Sequence, residues 1–398
     1  MRTYLIAMSV GVVFLSGCNH AQSMLPQPIG NSQPSQSRAG AHDPGAPTHY
    51  RVLYAFKGKS DGFFPLASLV RDAAGNLYGT TDSGGSSRLG VVFKLDPSGT
   101  ETVIVNFNGT NGRRPDSGLV LDAAGNFYGT AYGGGASDDG IVFKIDASGH
   151  ETILHSFNYT DGRGPSSDLV RDSAGNFYGT TTYGGSSNDG VAFSLDPGGN
   201  ETVLHNFSSK KGALPLFSRL LRDSAGDLYG TTFRGGAAHH GVVFKLDANG
   251  DETVLHDFAG GDGAAPQAGL VRDAAGNLYG TTNFGGHADE GVVFKIDPAG
   301  NETVFHAFSG PDGVYPEAPL VPDGSGNLYG TTFVGGASQV GVVFKLDSRG
   351  RETILHTFSG ADGAQPQAGL IRDSSGNLYG TTTVGGPSHA GVVFELTH

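Results

Sequence analysis

Apolar and polar positions from Tyr50 onward recur on a period of about 50 residues, and the phrase Gly75-Asn76-Leu77-Tyr78-Gly79-Thr80-Thr81 marks it. With small changes the phrase returns at Gly125, Gly175, Gly226, Gly276, Gly326 and Gly376, giving seven copies. Within a copy the pattern predicts four strands. Ser68 to Asp72 is short and apolar. Asn76 to Thr81 follows an Asp-Ala-Ala-Gly turn, with Asp and Gly where a turn requires them. Gly90 to Asp96 alternates, placing Val91, Phe93 and Leu95 on one face, and Glu101 to Phe107 alternates again after Pro97-Ser98-Gly99. Short links make successive strands antiparallel neighbours, so one copy is a four-stranded meander, the unit of a propeller blade.

The two ends of the repeat region complement each other. Arg51 to Phe56 matches the fourth strand of a copy, while Gly391 to Thr397 matches the third and has no successor. Pairing them completes a seventh blade and removes two open sheet edges. The expectation is an all-β, closed seven-bladed propeller over residues 50–398. An open solenoid would instead need polar caps at its ends.

Composition changes the picture mainly at the N-terminus. There are 66 glycines and 19 prolines, and the glycines are periodic and read as turns between short strands. Aromatic packing falls to 24 Phe and 14 Tyr, since there is no Trp. The single cysteine, Cys18, rules out an intrachain disulfide. It follows Met1-Arg2, an apolar stretch from Tyr4 to Leu15, and the triplet Leu15-Ser16-Gly17. The apolar stretch is too short to span a bilayer and suits a signal-peptide core. Residues 1–17 are thus expected to be a lipoprotein signal peptide, with Cys18 as the lipidation site, because the tetrapeptide ending in Cys18 resembles the bacterial lipobox. An ordinary signal peptide followed by a chance cysteine is the alternative. Several acyl chains, at about 0.8 kcal/mol per buried CH₂, make a lasting membrane anchor. Asn19, rather than Asp, favours the outer membrane by analogy with enteric lipoproteins. Residues 18–49 then form a tether rich in Pro, Ser and Gln. Its poverty in bulky apolar residues predicts disorder, with a coil span on the order of 30 Å.

The repeated phrases Gly-Asn-Leu-Tyr-Gly-Thr-Thr and Gly-Val-Val-Phe-Lys-Leu-Asp resemble those of the choice-of-anchor GloVer tandem-repeat proteins, over Tyr50 to His398. The resemblance implies an exported, cell-associated repeat protein and carries no chemistry with it. A looser likeness to NHL-type and lyase-type propellers rests on the Asp-x-x-Gly-Asn turn alone. Kelch, quinoprotein and sialidase signatures all need Trp.

The formal charge of −13 and the lack of any basic cluster beyond Lys210-Lys211 and Arg113-Arg114 argue against nucleic acid as a partner. In a meander blade the links after strands one and three share a side, and here they barely vary. The links after strands two and four share the other side and do vary, so function is expected there. Candidate ligand contacts are Tyr132, Tyr183, Phe233, Arg234, Phe284 and Phe333, aromatics with a neighbouring charge that suit sugar or peptide recognition. Packing between blades is the plainer role for them. His239 and His240, with His287, Asp289 and Glu290 on the next blade, break the repeat symmetry most and have metal-ligand chemistry; solvated loop residues are the plainer reading, and no metal or other cofactor is expected.

His155, His205, His256, His306 and His356 share one repeat position, where the first two copies carry Tyr54 and Val105. A residue recurring around a ring reads as blade packing, and five histidines on five blades cannot converge on one ion. Asp61, Asp161, Asp262, Asp312 and Asp362 also share a position, where Asn111 and Lys211 stand in the other copies. Lysine cannot ligate calcium, so a turn role is expected. No catalytic constellation stands out. Two readings follow: a monomeric, lipid-anchored binding or scaffold propeller of the bacterial cell envelope, with a polysaccharide or envelope protein as ligand, or a propeller lyase or hydrolase acting on an extracellular polymer.

Overall fold

The computed structural model describes residues 49–397. Residues 1–48, which include the expected signal peptide, Cys18 and most of the expected tether, lie outside the described residues. Within them the chain forms seven antiparallel sheets in sequential meanders. The first blade is typical, with strands Val70–Arg71, Leu77–Thr81, Val91–Leu95 and Glu101–Asn106. The last sheet joins Ile371–Arg372, Leu378–Thr382 and Val392–Thr397 to His49–Ala55, so the expected closure is present. Its seam pairs Tyr50 with Leu396, Arg51 with Glu395 and Val52 with Phe394. The Arg51 guanidinium reaches the Glu395 carboxylate at 2.7 Å.

Burial explains why the third strand is the most apolar. Val91, Phe93 and Leu95 share a face as expected, yet Val92 on the opposite face is equally buried. Each blade is sandwiched between two others, so both faces of its middle strands are core. Val91, Phe93 and Leu95 pack with Phe56, Tyr379 and Val393 of the last blade. Val92 packs with Phe107, just past the fourth strand of its own blade, and with Ile141 and Phe143 of the second. One aromatic contact recurs at every junction. The Phe after each fourth strand sits edge-on to the third-strand Phe of the next blade, from Phe56 on Phe93 at 5.1 Å round to Phe358 on Phe394 at 5.4 Å. Such pairs contribute about 0.5–1.5 kcal/mol beyond their area, and seven of them in cyclic order bind the ring together.

The repeated turn before the second strand is a carboxylate clamp. Asp72 accepts from the Asn76 backbone N–H at 2.8 Å, the Asn76 side-chain amide at 2.7 Å and the Tyr78 hydroxyl at 3.0 Å. Partial burial pushes the Asp72 carboxyl up, and the donors at Asn76 and Tyr78 more than offset this and hold it below the usual range. In the fourth blade Asp227 replaces the Asn, and Lys245 pairs with it at 2.6 Å.

The first strand is shorter than the pattern suggested, two residues instead of five. The segment ahead of it runs along the propeller axis, where residues at one repeat position touch in successive blades. A Cβ on Gly369 would stand 2.7 Å from Ser68 Oγ and 2.8 Å from Pro319 Cγ. There a side chain takes over from the ladder: Ser117 Oγ accepts from Thr130 N–H at 3.1 Å and donates to Thr130 C=O at 3.2 Å.

Candidate functional site

The recurrent proline before each first strand organises the variable face. The residue ahead of it has positive φ in every copy: Phe64 59°, Arg114 54°, Gly164 64°, Leu214 56°, Ala265 57°, Tyr315 58° and Gln365 57°. Only one of the seven is glycine, and each of the others costs about 1–2 kcal/mol of backbone strain. Backbone bonds on both sides hold the conformation. Arg114 N–H donates to Leu89 C=O and Arg114 C=O accepts from Tyr132 N–H, both at 2.9 Å. Strained backbone of this kind clusters at functional sites, which makes this rim the candidate.

The residue after that proline and the residue just beyond the second strand's Thr or Ala complete the mouth of the axis, and two polar arcs stand out there. In the first, Arg114 Nε donates to Asp82 at 2.8 Å and Arg114 Nη2 to Asp116 at 3.2 Å, while the guanidinium lies 4.8 Å from the centre of the Tyr132 ring. Asp116 is almost fully buried, and its Oδ1 has no partner. Burial, then the neighbouring Asp82, pushes its carboxyl well above the normal range against the pull of Arg114. In the second arc Glu317 accepts from the Gln367 amide at 2.6 Å and more weakly from Asn283 at 3.4 Å. Gln367 in turn accepts from the Thr383 hydroxyl at 3.1 Å, and Gln267 closes on Glu317 from the other side. Protein atoms crowd the Glu317 carboxyl and push it up to about 7, against the amide bonds of Gln367 and Gln267, although part of the residue still meets water in the mouth.

The candidates named from sequence divide. Tyr132, Phe233 and Phe333 occupy the same repeat position at the mouth and are half-buried. Tyr183, Arg234 and Phe284 sit one residue further out. Arg234 and Phe284 form backbone bridges to Ala213 and Ala264. Phe284 is 38% exposed and meets Tyr315 edge-on at 5.1 Å. His239 and Asp289 share a left-handed turn position with Arg88, Asp138, Asn188, Gln339 and His389. There Asp289 Oδ1 accepts from Gly285 N–H at 3.0 Å. The carbonyls of His240 and Glu290 hold the strained residues Ala265 and Tyr315. His287 is exposed. These five do not gather into a metal-compatible group; among the described residues such groups lie at the blade junctions. The repeated histidines do pack against phenylalanine, as His155 does on Phe157 at 4.8 Å, and each also faces an acid. Arg114, Asp116, Gln267, Glu317 and Gln367 went unnoticed in the sequence. Their signal was variation on either side of a fixed proline.

A closed ring of seven antiparallel meander blades, with near-invariant turns on one side and variable links on the other, defines a seven-bladed β-propeller. The chain belongs to the Gloeobacter/Verrucomicrobia repeat family, whose sequence profile matches residues 42–222 and again 217–398. Among solved structures it is similar to virginiamycin B lyase from Staphylococcus aureus, with 12% identity, TM-score 0.58, and 88% of this chain and 99% of that one covered. It is also similar to the extracellular domain of BT3049, a hybrid two-component system of B. thetaiotaomicron, with 14% identity, TM-score 0.57, and 88% of this chain and 41% of that one covered. At such identities the likeness establishes the fold. No curated protein matches the chain in sequence.

Proposed function

We propose that the protein is a lipid-anchored binding propeller of the bacterial cell envelope, held by Cys18 at the outer membrane, whose axial mouth takes a polysaccharide. The carrying observation is the second polar arc: a carboxyl, three amides and a hydroxyl on Glu317, Gln267, Asn283, Gln367 and Thr383, joined in one mouth. Such a set offers both donors and acceptors to neighbouring sugar hydroxyls. The rings of Tyr132, Phe233 and Phe333 at the same mouth supply apolar faces of the kind sugar rings stack on. The test is a glycan array probed with the full chain, repeated with Glu317→Gln/Gln367→Ala. Glycan binding that the double variant loses supports the reading; binding that it retains, or none to any polysaccharide while an envelope protein is captured, overturns the polysaccharide assignment.

A second reading rests on the first arc. A buried carboxyl with a raised pKa, a guanidinium and a tyrosine side by side are the parts of a polymer lyase or hydrolase. The lyase likeness supplies fold alone. Release of unsaturated or reducing ends from an extracellular polysaccharide, abolished by Asp116→Asn, would favour this reading over simple binding.

A further inference from the structure

Where two blades meet at the outer rim, three side chains come together: the fourth-strand histidine, the acid of the following loop, and the glutamate that opens the next blade's fourth strand. At three junctions the set is complete, as His155 with Asp161 and Glu201, His256 with Asp262 and Glu302, and His306 with Asp312 and Glu352. In each set one donor atom per residue lies within 4.8 Å of the others.

Each of the other junctions misses one or two members of the set. Where Val105 replaces the histidine and Asn111 the aspartate, the Asn111 amide donates to Glu151 at 2.6 Å. Where Lys211 replaces the aspartate, its ammonium approaches the Glu252 carbonyl at 3.5 Å, and His205 stands 3.4 Å from the Glu252 carboxylate. Where Tyr54 replaces the histidine, its hydroxyl donates to Asp61 at 2.9 Å. Where Tyr50 replaces the glutamate, its ring stacks on His356. The junction glutamate keeps a buried Oε1 with no hydrogen bond at complete and incomplete junctions alike, Glu201, Glu302 and Glu352 as well as Glu101, Glu151 and Glu252, and the Nε2 atoms of His155, His205 and His306 are likewise buried and unpartnered. What sets the complete junctions apart is that a histidine and an aspartate both stand within 4.8 Å of that glutamate.

We propose that each complete junction binds one divalent transition-metal ion, Zn(II) by the chemistry of its donors, pinning the outer strand of one blade to that of the next. One imidazole and two carboxylates suit such an ion and leave a fourth position for water. Ligands at about 2.0–2.2 Å from a tetrahedral ion stand roughly 3.4 Å apart. The 3.3 Å between His155 Nε2 and Asp161 Oδ2, and the 3.5 Å between His306 Nε2 and Asp312 Oδ2, fit that edge better than they fit a hydrogen bond. His256 and Asp262, at 2.9 Å, are hydrogen-bonded and open slightly on binding.

The test uses the full-length chain with Cys18→Ala, so that no thiol competes, stripped with chelator and freed of any affinity tag. Titration calorimetry with ZnCl₂ should show three equivalent sites per chain, one for each complete junction, and zinc should raise the melting temperature by several degrees. Glu201→Gln/Glu302→Gln/Glu352→Gln should lose those sites yet melt, without metal, no lower than the parent. Glu101→Gln, at a junction without histidine, should leave the stoichiometry unchanged. Zinc uptake that survives the triple variant, uptake of CaCl₂ in place of zinc, or no uptake at all overturns the proposal. Cobalt(II) absorption bands of a tetrahedral N/O site, absent from the triple variant, provide a readout independent of stability.

Discussion

Tyr50, from the first strand, stacks face to face on His356 of the sixth blade, with ring centroids 3.8 Å apart and planes 4° from parallel. The same tyrosine donates to the Asp362 carbonyl at 2.6 Å. The closing strand therefore does two things: it pairs with the last blade through its backbone and grips the blade beside it through Tyr50. Tyr50→Ala should destabilise the fold by about 2–4 kcal/mol, and Tyr50→Phe, which keeps the stack, by about 1 kcal/mol for the lost hydrogen bond. Deleting residues 49–56 should do more, lowering the melting temperature further and exposing a sheet edge that aggregates. Calorimetry and light scattering read both effects. A deletion variant that melts like the parent would show that the seam does not hold the ring.

Small residues in the second strand set how closely strand and core approach. A Cβ on Gly280 would lie 2.5 Å from Phe294 Cζ and 2.9 Å from Leu270 Cδ2, both buried in the core. Neither has room to retreat. Gly280→Ala should cost about 1–3 kcal/mol by overpacking, and Gly280→Ala/Phe294→Leu should recover part of it. The checks are denaturant midpoints at an unchanged m-value.

Period, strand count and complementary ends were all legible in the sequence, because a meander's apolar alternation and its Asp-Gly turns repeat in register. The mouth was only partly legible. Tyr132, Phe233 and Phe333 follow an obvious strand, whereas Asp116, Gln267 and Glu317 sit in the irregular link between the fourth strand of one copy and the first of the next. Convergence on an axis is a property of the closed ring, and no single copy displays it. The junction glutamates were hidden differently. Glu201 meets His155 of the preceding copy, so the pairing crosses the repeat boundary and leaves no local motif.

Arg114 combines an electrostatic role with a strained backbone, and two substitutions separate them. Arg114→Ala leaves Asp116 buried beside Asp82 with no cation and should cost about 3–5 kcal/mol, more at pH 8 than at pH 5, since Asp116 relieves the loss by taking up a proton. Arg114→Gly removes the same charge but relaxes a φ of 54°, so it should be less destabilising than Arg114→Ala by about 1 kcal/mol. Adding Asp116→Asn to Arg114→Ala should restore much of the loss. Equal melting temperatures for the Ala and Gly variants would refute backbone strain at this rim.

Glu317 predicts a stability that falls as the solution becomes alkaline. Its carboxyl is pushed up to about 7 in the folded mouth by burial, with the amides of Gln367 and Gln267 pulling the other way, and an unfolded glutamate titrates near 4.3. The folded state thus holds the proton more tightly. The resulting stability is fully present below about pH 4.3 and is lost as the pH rises through about 7, a change of about 1–3 kcal/mol once screening by water in the mouth is allowed for. Asp72 and its counterparts act oppositely: held below the usual range, they stabilise above about pH 3.9 and that contribution is lost in stronger acid. The melting temperature should therefore peak between about pH 4 and 5 and decline toward pH 8. Glu317→Gln should make that decline shallower and leave the acid limb alone. Junction glutamates such as Glu101 and Glu151, also pushed up to about 7 by burial, keep part of the slope in the variant. Thermal scans of both proteins from pH 3 to 8 at fixed ionic strength decide the matter: superimposable alkaline limbs would mean that Glu317 is ionised in the folded mouth throughout, and that the carboxyl meets a ligand as an anion.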